Sequence, residues 1–384
     1  MKYPSSIQSK LPGTGTSIFA VMSALAVKHN AINLSQGFPD FAVSPELIDK
    51  IHHFMQKGYN QYAPMQGVPE FRRNIVKKIR EMYGAEYDAD REITITAGAT
   101  QAIFTVIAAM VKEGDEVIIF EPAYDSYAPA VKLQGGMVKH VEMQWPDYSI
   151  DWDMVTRLVT ARTRMIIINS PHNPTGSVLR EEDLKRLEAL ACSREILVLS
   201  DEVYEHLIFD GLRHESVCRY PELRQRSFMI GSFGKTFHAT GWKIGYVMAP
   251  ENLMEEFRKV HQFNVFTVNT PIQYAMAEFL EDEKNYNGLG TFFQEKRDFL
   301  VNALQNSRFK IIPCYGTYFQ LVSYENISDE PELEFATRLT TENGVATIPI
   351  SSFYLSGKNN HTLRLCFAKK EETLTRAAEI LCRI

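Results

Sequence analysis

Residues 196–204 read ILVLSDEVY: four apolar residues and a serine, then two carboxylates, a valine and a tyrosine. The apolar part is brief, rich in branched residues and without a polar face, as a strand buried on both sides of a sheet requires. Five further runs share that character: Ile93–Thr96, Val117–Phe120, Met165–Asn169, Phe228–Ser232 and Ile244–Met248. Between the runs lie helical stretches. Glu181–Ala191 sets Leu184, Leu187 and Leu190 at helical spacing behind Glu181-Glu182-Asp183, an opening suited to the positive end of a helix dipole. Strand and helix in alternation predict an α/β domain, with helices on both faces of a mostly parallel sheet. Ligands in such sheets bind beyond the carboxyl ends of the strands, so residues just after each run are the candidates for chemistry.

The remainder of the chain differs in texture. Residues 1–44 are rich in Gly, Pro and Ser, which predicts an extended arm. After about residue 285 come a helix around Thr291–Asn306, the segment Phe309–Ser323, another helix, a short strand at Thr362–Phe367 and a last helix. The expected division is an arm (1–44) packing with the small lobe, a large domain (45–285) and a small α+β domain (286–384). A chain of 384 residues exceeds what one ordinary core carries, which agrees with two lobes.

Composition narrows the function. Net charge is −6 with no long basic stretch, which argues against binding a nucleic-acid backbone. The opening MKYPSSIQSK lacks a signal-peptide core, and no segment approaches the roughly 20 apolar residues of a membrane span, so a cytoplasmic protein is expected. Cys192, Cys218, Cys314, Cys366 and Cys382 show neither CxxC nor CxxH spacing. They read as buried free thiols in a reducing compartment, and no metal site is expected.

Four strand-end segments carry polar residues that a plain core would not need. In Ser232-Phe233-Gly234-Lys235-Thr236, followed by Gly241-Trp242-Lys243-Ile244-Gly245, a lysine directly follows a buried strand among glycines. Little room for solvation makes such a lysine a Schiff-base nucleophile; the plain alternative is a surface lysine in a loop. Asp201 is either a helix cap or the partner of a cationic ring nitrogen. The two X-Pro bonds of Asn169-Ser170-Pro171-His172-Asn173-Pro174-Thr175-Gly176 suggest a rigid turn that aims Asn173, or simply a tight turn. Thr96-Ala97-Gly98-Ala99-Thr100-Gln101 runs from strand to helix through small residues, which suits an anion at free backbone N–H groups. It has neither GxGxxG nor GxxxxGK[ST] spacing, so no dinucleotide or P-loop nucleotide is indicated.

In chain order these segments resemble one family, the fold type I, class I/II aminotransferases, across nearly the whole chain. Residues 170–176, 200–204, 232–236, 241–245 and Leu363-Arg364-Leu365 carry the resemblance. Asn33-Leu34-Ser35-Gln36-Gly37-Phe38-Pro39-Asp40-Phe41 and Asn60-Gln61-Tyr62-Ala63-Pro64 look like its kynurenine/glutamine/methionine branch. The resemblance implies a seven-stranded, mostly parallel sheet sandwiched by helices, a homodimer, and pyridoxal 5′-phosphate as cofactor. It implies that Lys235 binds the cofactor covalently, is displaced by the amino acid and then moves a proton from its Cα. Asp201 pairs with the ring nitrogen, Asn173 and Tyr204 with the ring's 3-oxygen, and Tyr124 stacks on the ring. The Gly98 turn, through the N–H groups of Ala99 and Thr100, holds the phosphate with Ser232, Lys243 and Tyr62 of a neighbouring subunit. Arg364 clamps the substrate carboxylate, helped by the Gly37 backbone and Asn173. Lys243 departs from the family, which usually has Arg there; a lysine offers a point charge without a planar fork.

For the substrate side chain, Ser17-Ile18-Phe19, Tyr62 and Asn264-Val265-Phe266-Thr267 resemble the branch's pocket, with Phe19 and Phe266 as apolar surface. That implies methionine and aromatic donors, with glutamine and kynurenine alongside. Three competing readings share parts of this pattern: a carbon–sulfur β-lyase on the same scaffold, a cofactor-binding regulator domain, and a nicotinamide dehydrogenase. The last lacks its glycine fingerprint, and nothing leaves room for the regulator's DNA-binding segment.

Overall fold

The computed structural model of the chain describes residues 5–384 and contains a seven-stranded sheet. Its strands are Ile93–Thr96 (β1), Glu116–Glu121 (β2), Met137–Glu142 (β3), Thr163–Asn169 (β4), Leu197–Asp201 (β5), Ser227–Ser232 (β6) and Gly245–Met248 (β7). They lie in the order β1-β7-β6-β5-β4-β2-β3. All neighbours are parallel except β7, which runs antiparallel to both β1 and β6. Every residue of β1, β2, β5, β6 and β7 is buried, which is why these strands read as unbroken apolar runs.

One strand escapes the sequence pattern. β3, MVKHVE, pairs only with β2 and is exposed at both ends. An edge strand open to solvent on one side tolerates charge, and charge discourages pairing with another chain. Here Lys139 Nζ lies 3.5 Å from Glu116, and His140 Nδ1 lies 2.7 Å from Glu121.

Register decides which residues meet at the carboxyl ends. Asn169 of β4 stands opposite Asp201 of β5, while Thr96, Gly245 and Ser232 form one row across β1, β7 and β6. Gly245 is needed for that row. A Cβ there would lie 2.8 Å from the Gly231 carbonyl oxygen, closer than real side chains come, and a tight 3.1 Å from the Ala99 nitrogen.

Helix Glu181–Arg194 buries Leu184, Leu187 and Leu190 as its spacing predicts. Beyond the large sheet, Ile348–Pro349, Thr362–Cys366, Phe319–Ser323 and Lys310–Ile311 form a four-stranded antiparallel sheet, with Leu321 opposite Arg364. Helices Leu289–Ala303 and Glu371–Leu381 accompany it.

The N-terminal segment is not wholly extended. Ile18–Lys28 is a helix, started by the Ser17 hydroxyl accepting from the Ala20 N–H at 3.4 Å. The glycine- and proline-rich composition ends at Gly15, and the following IFAVMSALAV favours helix. Ile32–Asn33 then pairs in parallel with Val345–Ala346. The five cysteines are free, but not all are buried: Cys192 is half-buried, and Cys382, just past the last helix, is exposed. Among the described residues no helix is long and apolar enough to cross a membrane.

Candidate active site

A cavity of about 190 Å³ opens over the strand ends. Its wall gathers Gly98, Ala99, Thr100, Tyr124, Asn173, Asp201, Tyr204, Ser232, Lys235 and Lys243, ten of the residues singled out from sequence. The turn after β1 supplies one end. Helix Ala99–Met110 starts at Gly98, whose φ of +75° suits glycine, and its first turn has no side-chain cap and no acidic residue. Its N–H groups therefore face an anion without competition. Ser232 and Lys243 border the same end.

A buried carboxylate forms the floor. Asp201 ends β5, and burial pushes its carboxyl up to about 6. Tyr127 opposes that rise by donating to Oδ2 at 2.6 Å, and the Val203 N–H donates to Oδ1 at 3.4 Å. A carboxylate so desolvated gains most from a cation placed against it. Asn169 ties the floor to the next loop: its Nδ2 donates to the Asp201 carbonyl, and its Oδ1 accepts from the Asn173 N–H, both at 2.8 Å. Both X-Pro bonds of the 170–174 turn are cis, one outcome that their spacing allowed.

Lys235 follows β6 in the short helix Phe233–Thr236. Desolvation lowers its amine to about 8, so about a tenth of it is neutral at pH 7. Nζ donates to the Tyr318 hydroxyl at 2.9 Å and to the Gly37 carbonyl at 3.3 Å. Gly37 thus reaches the site through a carbonyl aimed at Lys235.

Arg364 is fully buried, and burial lowers its guanidinium to about 10. One nitrogen donates to Asn173 Oδ1 at 2.7 Å and another to the Ser35 carbonyl at 2.9 Å, while Nε has no partner among the described residues. Since Oδ1 of Asn173 serves Arg364, its amide N–H groups are what it can offer the cavity. The guanidinium lies 3.8 Å from the Phe319 ring centre, 5.2 Å from Phe19 and 5.7 Å from Phe353.

Two expected residues do not join them. Tyr62 is 83% exposed and Phe266 44% exposed, their rings edge to face at 5.5 Å. Neither lines the cavity; Arg364, Gly37 and Phe19 are not in its wall either, but Arg364 donates to Asn173 and the Gly37 carbonyl accepts from Lys235. Sequence reading also missed Tyr127, Tyr318, Phe319 and Phe353. Tyr127 had a weak signal, three residues after Tyr124; the others sit in segments with no motif.

An anion-ready helix start, a buried carboxylate and a lysine of lowered pKa around one cavity fit a phosphorylated, cationic, carbonyl-bearing ring. Together with the sheet order they define a fold type I pyridoxal-phosphate enzyme. The profile of the class I and II aminotransferases matches residues 29–381. The chain is 51% identical over 375 residues to the methionine aminotransferase of Escherichia coli K12, covering 97% of each chain. It is 32% identical over 385 residues to human kynurenine–oxoglutarate transaminase 1, covering 91% of each. A solved Escherichia coli structure whose reactivity identified a methionine aminotransferase function superposes with a TM-score of 0.97 at 50% identity, covering 99% of this chain and 100% of that one. The chain belongs to the class I and II aminotransferases, which use pyridoxal 5′-phosphate. Both named relatives are aminotransferases, which supports transfer over the lyase alternative.

Proposed function

We propose that this aminotransferase moves the amino group of methionine and aromatic amino acids, with glutamine and kynurenine alongside, to a 2-oxo acid by a ping-pong mechanism. The carrying observation is the surround of Arg364: a buried guanidinium packed against Phe19, Phe319 and Phe353. Every amino acid presents the carboxylate that Arg364 binds, so selection falls to what surrounds the side chain. A second carboxylate on apolar surface is costly to desolvate, whereas a thioether or aromatic ring is at home there. The names of the relatives support the same donors.

When bound, the cofactor supplies a carbonyl that condenses with amines and a ring that accepts electrons. In this reading Gly98, Ala99, Thr100, Ser232 and Lys243 would hold its phosphate, Asp201 its ring nitrogen, Asn173 and Tyr204 its 3-oxygen, and Tyr124 its face. Asp201, whose anion Tyr127 favours by donating to it, would keep a proton on that ring nitrogen. Lys235 would hold the cofactor at its carbonyl, and its Nζ would take the proton from the substrate's Cα. Arg364 and Asn173 orient the carboxylate.

Tyr62 and Phe266 enter this reading through a second copy of the chain, since their exposed rings lie away from the cavity of their own. The reading includes a homodimer and a cytoplasmic location, with the division 1–44, 45–285 and 286–384 retained. The test is a steady-state panel of donors. Methionine and phenylalanine should give the highest kcat/KM, and a value for aspartate equal to that of methionine overturns the pocket.

A further inference from the structure

Tyr318 belongs to none of the motifs, yet it makes the shortest hydrogen bond that Lys235 has. Its side chain is 1% exposed, and burial holds its phenol proton far above the ordinary range. A neutral phenol has one proton, and here it is spent: the hydroxyl donates to the Gly37 carbonyl at 2.5 Å. Toward Lys235 Nζ, 2.9 Å away, the oxygen can only accept. The Gly37 carbonyl, 3.3 Å from Nζ, accepts as well. A neutral amine has two N–H groups and one lone pair. With both N–H groups directed at Tyr318 and Gly37, tetrahedral geometry turns the lone pair away from them. Lys235 lines the cavity, and neither Tyr318 nor Gly37 does.

We propose that Tyr318 is a positioning residue for Lys235: its phenol, with its proton committed to the Gly37 carbonyl, holds the free amine so that the lone pair faces the cavity. Tyr318 stays protonated throughout and exchanges no proton with Nζ. Its ring is fixed edge to face against Tyr204 at 5.1 Å and against Phe319 at 4.8 Å, so the oxygen has little freedom to follow the amine. The other groups acting on Nζ are Cys366 and Asp201, which favour its charge, and Arg364 and Lys243, which oppose it. The inference rests on Lys235 being the residue that captures the cofactor.

The test uses the cofactor-free full chain and follows capture of pyridoxal phosphate by absorbance as a function of pH. In the wild type, capture should rise through an inflection near 8, as Lys235 loses its proton. An acceptor stabilises the ammonium more than the amine, so Tyr318→Phe should lower the inflection by about one pH unit. Above both inflections capture should slow by about tenfold, because the lone pair is no longer aimed. Phenylalanine keeps the packing, so a merely structural tyrosine leaves the inflection in place. An unmoved inflection, at whatever rate, overturns the proposal. If Tyr318→Phe does not fold, 3-fluorotyrosine incorporated in place of Tyr318, a weaker acceptor of nearly the same shape, decides by the same criterion with a smaller shift. Lys235→Ala separates the two failures. Covalent capture that survives it, as distinct from non-covalent binding, refutes the role of Lys235 and the inference with it. Covalent capture lost in Lys235→Ala beside an unmoved inflection in Tyr318→Phe refutes the role of Tyr318 alone.

Discussion

Replacing Arg364 by lysine probes the one group that, in the proposed reading, every donor uses. The wild-type guanidinium is anchored by two hydrogen bonds, of 2.7 Å to Asn173 and 2.9 Å to the Ser35 carbonyl, and stacks on Phe319 at 3.8 Å. An ammonium cannot keep both anchors and present a fork to the carboxylate, so one charge-assisted bond is lost. At about 1.5–3 kcal/mol, and 1.4 kcal/mol per decade, kcat/KM should fall by roughly 10- to 100-fold for every donor alike. A second effect is specific to this burial. The site lowers arginine to about 10 and already holds Lys235 at about 8. A lysine at 364, whose ordinary value lies about two below arginine's, should also lose its proton near pH 8. The assay is the inhibition constant of hexanoate, which has the carboxylate and no amine, together with kcat/KM for methionine, phenylalanine and glutamine. Wild-type inhibition should be level from pH 6 to 9 as far as Arg364 is concerned, whereas Arg364→Lys should lose hexanoate above about pH 8. A variant that discriminates among donors, or binds hexanoate as the wild type does, refutes the assignment.

Three further outcomes follow from the same geometry. Borohydride should fix the cofactor to the peptide containing Lys235, and Lys235→Ala should lose transamination by several orders of magnitude while still binding pyridoxal phosphate; label on another lysine refutes the role. Mixing inactive Lys235→Ala with impaired Tyr62→Ala should restore up to about a quarter of wild-type activity, since half the dimers then hold one intact site; demonstrated exchange with no recovery places Tyr62 outside the partner's site. Tyr127→Phe removes a donor to Asp201 and should raise that carboxyl above its value of about 6. The folded chain then keeps a proton that the unfolded chain has lost, so stability falls with rising pH until the folded value is passed. The Tm of cofactor-free Tyr127→Phe should therefore keep dropping above pH 6, where the wild-type contribution levels off; parallel curves count against the Tyr127–Asp201 bond.

Much of this architecture is legible in the chain because burial on both faces leaves an unmistakable apolar run. Six of the seven sheet strands announce themselves that way, and the polar residues directly after them are the ones that line the cavity. Lys235, Asp201, Asn173 and the Gly98 turn could be picked out because each follows a strand within a few residues. β3 could not, because an edge strand such as Met137–Glu142 needs no apolar run. The helix Ile18–Lys28 was hidden by the glycine and proline content of its neighbours.

What the chain order cannot express is which distant segments face each other. Tyr318 meets Lys235 from 83 residues away and Gly37 from 281, and Arg364 meets Asn173 across 191. Phe319 and Phe353 become walls of the Arg364 site only because the antiparallel sheet and its neighbouring turn carry them there. Local sequence determines strand, helix and turn through burial period and capping, and so placed the cofactor residues next to their strands. The proton directions at Lys235, the anchoring of Arg364 and the outward position of Tyr62 depend on packing between elements far apart in the chain, and only the tertiary structure decided them.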